Sequence, residues 1–352
     1  MALSLNRSLP EIAYAGAGAV STFDLPRDHT MAGLRLMFNL EQTTGAAVAN
    51  GTEPDQGILA AIRRLEITAD GGVTVYSIDP SSLFIANALW NGAPAQRDDL
   101  APPGIGLTTR LQAFLHIPFA LPFAKNPNLT LLNASALSSF RLNVTWGSIN
   151  DLYQNVVNTS IVAANTFITP ETEEVVGLDP RSVFSLFRVS QVTRDVAAAQ
   201  DRFTVEVPRG NVIRGLLVRS RVTTNGVQDE VDTIINQIDI ESSERGRGTF
   251  IHRRQRTTDT NGTARNGYTA RNAARRIYGL NDLYTVEAGQ QDFSLTGFYP
   301  IEFMENQRAS GSVRTQDFTS FNAVMNVSAP AGTPQVLVNV FEMIPAAAPR
   351  AA

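Results

Sequence analysis

"FDLPRDHTMAGLRL" occupies Phe23–Leu36, and "VEVPRGNVIRGLLV" occupies Val205–Val218. Each carries a Pro-Arg pair, then turn-forming residues, an apolar position and Gly-Leu. Pro26 matches Pro208, Arg27 matches Arg209, Gly33 matches Gly215 and Leu34 matches Leu216, always 182 residues apart. Phe23, Leu25, Met31 and Leu36 fall over Val205, Val207, Ile213 and Val218. Proline cannot donate to a strand ladder, so Pro26 and Pro208 should each end a strand. Arg-Asp-His and Arg-Gly-Asn then turn the chain, with Gly210 and Asn211 tolerating positive φ. A glycine early in the next strand, Gly33 or Gly215, signals a bulge or a close neighbour. For Arg27 and Arg209 the choice is between a solvated turn and an interface contact.

Fourteen residues alone do not make a duplication; the same order of elements must recur along the rest of the chain. "IRRLEITADGG" (62–72) resembles "INQIDIESSERG" (235–246), with Leu65 over Ile238 and Ile67 over Ile240. A further strand and a short helix should follow in each half, at 81–91 and at 270–279. "AFLHIPFAL" (113–121) corresponds to "TGFYPIEFM" (296–304). "FRLNVTW" (140–146) aligns with "VLVNVFE" (336–342), Asn143 over Asn339. The separation drifts while the order is kept, as when loops gain and lose residues around a conserved frame.

The texture throughout is short alternating runs broken by Gly, Pro, Asn and Asp. "IRRLEITADGGVTVYSI" (62–78) reads as a hairpin around Asp70-Gly71-Gly72. "TRLQAFLHIPF" (109–119) and "FRLNVTW" are further strands. Helix signals are few. "DPSSLFIANALWNG" (79–92) has Asp79 as cap and Pro80 at the first helical position. A second helix is expected over 268–284, with Thr269 as cap and Gly279 near its end, and a third, weaker candidate is "DPRSVFSLFRV" (179–189). Loops are expected at 91–106 and 244–268. Many short strands in two similar sets predict an all-β protein of two tandem eight-stranded jelly rolls with short inserted helices. The boundaries read as an N-terminal arm over 1–18, a first roll over 19–150, a linker over 151–185, a second roll over 186–345 and a tail over 346–352.

Composition excludes several functions. The chain has 352 residues, enough for two domains. It has no cysteine, which removes disulfides, thiolate metal sites and a Cys nucleophile. Its three histidines, His29, His116 and His252, are too scattered for a His-rich metal site. Net charge is −4, so no global basic field points to nucleic acid. No apolar stretch approaches the roughly 18–20 residues that span a bilayer. The N-terminus lacks the pattern of a signal peptide. Eight Asn-X-Ser/Thr sequons, without a secretion signal, read as chance. The glycine-rich "YAGAGAV" (14–20) and "GRG" (246–248) do not open a βαβ helix and are not phosphate cradles. Glu173-Glu174 reads as a solvated linker, and Asp229, Glu230 and Asp232 as a charged turn. Trp90 and Trp146 are explained by core packing. No enzyme, cofactor or metal site is expected.

The remaining candidate is "SERGRGTFIHRRQRTTDTNGTARNGYTARNAARR" (243–276), with nine arginines against Glu244 and Asp259. Nucleic acid or anionic lipid would suit such a run. A subunit interface suits it better in an acidic chain, with Arg245, Arg247, Arg253, Arg254 and Arg256 meeting Asp98, Asp99, Glu171, Glu173 or Glu174 of a neighbour. Arginine is favoured at such contacts, and Lys125 is the sole lysine.

On the duplicated "F-x-L-P-R…G-L" unit, the "GFYPIEF" segment, size and strand order, the chain resembles the double jelly-roll major capsid proteins of tailless icosahedral bacteriophages with an internal membrane. The resemblance covers roughly 15–345. It implies a homotrimer in which two rolls per subunit give a pseudo-hexagonal capsomer, made in the host cytoplasm and placed in the virion shell. It also implies contacts with neighbouring capsomers and with penton or vertex proteins, an inner face toward lipid, and no sequence-specific nucleic-acid partner. The chain departs from the pattern in lacking a strongly basic N-terminal arm. The rival reading is a carbohydrate-binding or host-recognition β-sandwich, such as a spike or vertex protein.

Overall fold

The computed structural model describes residues 3–45, 57–91, 96–98, 100, 103–121, 130–153, 158–178, 185–224, 227–244, 248–256, 297–303 and 312–345. The chain divides into two compact units, Met1–Val189 with two short additions, and Ser190–Met343 less Asn225–Val227.

In the first unit the strands are β1 (Leu3–Ser8), β2 (Ile12–Ala13), β3 (Val20–Asp24), β4 (Thr30–Thr44), β5 (Ile62–Ala69), β6 (Val73–Ile78), β7 (Thr108–Pro118), β8 (Leu132–Asn133), β9 (Phe140–Trp146), β10 (Thr159–Ile161) and β11 (Phe167–Val176). They make one sheet through β1-β11-β4-β7 and a second through β3-β9-β5-β6. β12 (Ser185–Asp195) carries the chain onward. The second unit adds β13 (Gln200–Glu206), β14 (Val212–Thr224), β15 (Val227–Glu230), β16 (Ile235–Glu244), β17 (Gly248–Arg256), β18 (Phe298–Glu302), β19 (Val313–Arg314), β20 (Phe318–Val327) and β21 (Thr333–Pro345). Its sheets run β12-β21-β14-β18 and β13-β20-β16-β17. Setting aside the short strands β2, β8, β10, β15 and β19, each unit is an eight-stranded, two-sheet jelly roll. In chain order, both rolls have the sheets 1-8-3-6 and 2-7-4-5.

The duplication reaches individual residue pairs. Phe23 faces Leu142 and Asp24 faces Arg141 in the first roll; Val205 faces Ala323 and Glu206 faces Asn322 in the second. Ile67 faces Leu142 as Ile240 faces Ala323. The β5–β6 hairpin slips register after Ile67, and the β16–β17 hairpin slips after Ile240, its counterpart.

These registers correct one sequence alignment. The counterpart of β9 is β20, with Phe140 equivalent to Phe321, whereas "VLVNVFE" lies in β21 and answers β11. The shared Asn-Val at 143–144 and 339–340 suggests the other match, and only pairing tells the segments apart. Two expected boundaries also differ. Residues 3–8, expected in an arm, form the sheet edge β1, and residues 167–176, expected in a linker, form the central strand β11. β11 looks like a linker because its inward positions include Thr172 and Glu174, both buried. Of the helix expected over 179–189, residues 185–189 are strand, the start of Ser185–Asp195, and 179–184 lie outside the described residues.

The first helix forms as expected. Pro80–Ala86 starts at Asp79, whose side chain accepts from the Ser82 backbone N–H at 2.9 Å, and a π turn over Asn87–Asn91 follows. Its expected counterpart at 270–279 lies outside the described residues, as do 268–284, part of the loop 91–106 and most of the loop 244–268. The Asp70-Gly71-Gly72 turn has φ of 47°, 77° and 139°, the left-handed conformations that such a hairpin needs.

Each core lies between its two sheets. In the first roll Phe38 of β4 meets Trp146 of β9 with ring centroids 6.2 Å apart. In the second, Leu216 and Val218 of β14 pack in one cluster with Ile238 and Ile240 of β16.

Candidate functional site: the repeated turn

Leu25 donates from its backbone to Phe140 O, and Val207 donates to Phe321 O, both at 2.9 Å. This fixes the turn at each proline against β9 in the first roll and β20 in the second. Arg27 Nη1 then donates to two successive carbonyls, Leu137 O at 2.8 Å and Ser138 O at 2.5 Å. Arg209 Nη1 donates to the equivalent pair, Phe318 O at 3.0 Å and Thr319 O. The two arginines are therefore not idle turn residues. They tie each turn to backbone carbonyls just before β9 in the first roll and at the start of β20 in the second, and no apolar or short side chain could replace them.

The glycines sit where they were expected to matter. On β4, Gly33 faces Glu173 and Met31 faces Glu174, so Ala32 is skipped; on β14, Gly215 faces Phe341 and Ile213 faces Glu342, so Arg214 is skipped. The same bulge thus stands at the same place in both rolls. The skipped carbonyls are used alike, Ala32 O accepting from Phe119 N at 2.8 Å and Arg214 O from Phe303 N at 2.9 Å. A Cβ on Gly33 would stand 2.5 Å from Glu173 Oε2 and 2.6 Å from His116 Nε2. The glycine leaves room for that His–Glu pair to close over the strand.

Sequence reading missed one repeated feature. Beyond each bulge stands a fully buried carboxylate, Glu174 in β11 and Glu342 in β21. Glu174 binds Arg7 at 3.0 Å and accepts from Thr172 Oγ1 at 2.8 Å, with His29 Nε2 3.9 Å away. Glu342 accepts from Asn211 Nδ2 at 2.7 Å. His29 and Asn211 are themselves equivalent, one turn position with a donor side chain in each roll. The matched pairs His29–Glu174 and Asn211–Glu342 were recoverable only with the strand pairing in hand.

The chemistry here is structural. A cleft of about 690 Å³ opens beside the first turn, lined by Asp24, Pro26, Arg27, Asp28, Ser138 and Arg141. Its charges are matched in place, Arg141 to Asp24 at 2.8 Å and Asp28 to Arg7 at 3.0 Å. Among the described residues no three His, Asp or Glu side chains are grouped to hold a metal ion.

Of the acidic groups expected to meet a neighbour's arginines, Glu171 and Glu173 bind Arg35 at 3.5 and 2.5 Å, and Glu174 binds Arg7. Asp98 accepts from the Gln112 backbone at 2.7 Å. Asp99 lies outside the described residues, as do Arg245 and Arg247. Arg253, Arg254 and Arg256 fall on β17, where they pair by register with Ile240, Asp239 and Gln237. His252 is on the same strand.

Glu173 is held below the ordinary carboxylate value of 4.5, first by its hydrogen bond with His116 and then by the charges of His116 and Arg35, against the opposing cost of burial. A lowered folded pKa gives stability that is fully present above the unfolded value and is lost as pH falls through the folded one. Glu173→Gln should therefore melt lower than wild type at neutral pH and lose less melting temperature on acidification below about 4.5. Parallel wild-type and variant curves of melting temperature against pH would contradict this.

No protein-family model matches the chain, and no curated protein matches it. Solved structures do. The STIV MCP, of Sulfolobus Turreted Icosahedral Virus, is 12% identical with a TM-score of 0.69, covering 97% of each chain. The major capsid protein P2 from Bacteriophage PM2 is 13% identical with a TM-score of 0.58, covering 99% of each. The PBCV-1 virus capsid structure is 11% identical with a TM-score of 0.58, covering 99% of this chain and 97% of that one. At such identities the likeness is one of fold, and that fold is a tandem pair of jelly rolls running the length of the chain.

Proposed function

We propose that this chain is a major capsid protein, the shell-forming subunit of a tailless icosahedral virus. The observation that carries the reading is the duplication: two rolls with one strand order, one register and the same bulge. Three such chains present six similar rolls around one axis, so a homotrimer tiles a hexagonal lattice. A closed cyclic trimer needs only one kind of interface, repeated. The full-length likeness in fold to capsid proteins of three viruses supports this over the glycan-binding alternative.

In this reading the described residues serve architecture. The Arg27 and Arg209 ties and the buried carboxylates fix the turns, and long connections are left for contacts made on assembly. Arg245, Arg247, Arg253, Arg254 and Arg256 belong to the subunit interface. Neighbouring capsomers, vertex proteins and an inner lipid surface are the remaining partners. None of the described helices is long and apolar enough to cross a membrane.

Size-exclusion chromatography with light scattering tests the assembly state. The expected result is a species of three 38.1 kDa chains that persists on dilution. A monodisperse monomer at micromolar concentration would overturn the proposal.

A further inference from the structure

The duplicated rolls do not have duplicated edges. In the first unit β6 is paired through both sides: β5 holds one, and Val189 bridges Tyr76 in parallel on the other. Phe187 and Val189 are fully buried there. The counterpart of β6 in the second roll is β17, and matching the hairpin registers puts Arg253 in the place of Tyr76 and Ile251 in the place of Thr74. β17 pairs with β16 alone among the described strands.

The strand that would complete it has a counterpart too. Tyr14 N donates to Thr166 O, and Val196 N donates to Pro334 O, both at 2.9 Å, which extends the separation of 182 residues back through β2. The same separation makes Leu5 and Arg7 of β1 the counterparts of Phe187 and Val189. β1 pairs with β11 on one side only among the described strands. Leu5 is 40% exposed and Leu3 is 64% exposed, on an edge strand whose six residues include no proline. Arg7 is already neutralised by Asp28 and Glu174, each at 3.0 Å.

We propose that β1 of one copy of this chain pairs in parallel with β17 of the next, Arg7 beside Arg253 and Leu5 beside Ile251. This repeats between chains the bridge that Val189 and Tyr76 make within one. The contact is head-to-tail, joining different strands of the two copies, so it generates a ring if the rotation closes. Closure at three rests on the capsomer reading above. The recognition is strand addition, in which backbone hydrogen bonds supply affinity and alternate side chains set the register.

The cysteine-free sequence makes the test clean, because every bridge formed would join introduced residues. Neighbouring strands lie about 4.8 Å apart, within the Cα spacing that a disulfide accepts. The double variant Leu5→Cys/Ile251→Cys, oxidised mildly, should give mainly covalent trimer on a non-reducing gel. Each single variant should give nothing larger than dimer. A trimer by light scattering that yields no interchain disulfide would overturn the inference and leave the capsomer reading standing. Absence of the trimer from wild type would overturn the capsomer reading itself, and ring closure with it. As a second variant, Leu5→Lys places a new charge in the proposed strand pair without touching a core. It should raise the concentration for half-assembly about tenfold or more at an unchanged monomer melting temperature. Unaltered assembly would count against the pairing.

Discussion

Trp146→Ala is expected to lower the unfolding free energy by about 3–5 kcal/mol, the range for removing a large aromatic side chain from a core. Trp146 is fully buried at the end of β9. Tyr14 meets it edge-on with centroids 5.3 Å apart, and Phe38 packs from the facing sheet. Its indole N–H donates to Ser21 Oγ at 2.8 Å. One side chain therefore joins both sheets of the first roll to the segment before β3. Urea unfolding of the variant would measure the loss, and Trp146→Phe should cost less because it leaves a smaller cavity. A loss below about 1 kcal/mol for the alanine would mean that the two sheets do not close on this residue.

Glu230→Ala should be of similar size, about 3–5 kcal/mol, for a different reason. Arg219 of β14 is buried with no exposed surface, ion-paired with Glu230 and set 5.4 Å from the centroid of the Phe298 ring. Removing the carboxylate takes its described ion-pair partner from a fully buried guanidinium. Arg219→Met/Glu230→Leu should recover most of the stability, because taking out both charges also removes the cost of burying them. If the double variant is as unstable as the single one, the loss comes from packing around Phe298 and not from the stranded charge.

These two sites also mark how far the sequence could be read. The all-β class, the β5–β6 hairpin, the Asp79 cap and the repeated turn were legible because each depends on residues close together in the chain. Pro26 and Gly33 announce a strand end and a bulge by their own backbone chemistry. The bulge equivalence was partly legible, since only glycine leaves space for His116 and Glu173.

What stayed hidden depends on pairing. β11 passed for a linker because Thr172 and Glu174 are polar, and their burial makes sense only once Arg7 is brought alongside. "VRSRV" in β14 reads as a half-exposed strand, yet Arg219 is buried beside Glu230, 11 residues away. The roles of Arg27 and Arg209 could not be read because their acceptors are backbone carbonyls 109–111 residues further on, and carbonyls carry no sequence signature. Arg7 shows the same gap from the other side: its place in the sequence suggests an arm, and its two ion pairs make it part of a sheet.

The central claim is that duplication within the chain serves a ring of six similar rolls built from three subunits. Electron microscopy of the purified protein, classified without imposed symmetry, tests it most directly. The account predicts particles with three-fold symmetry and a hexagonal outline, each holding three 38.1 kDa chains. Two-fold particles, or single two-lobed molecules at concentrations where assembly is complete by light scattering, would contradict it.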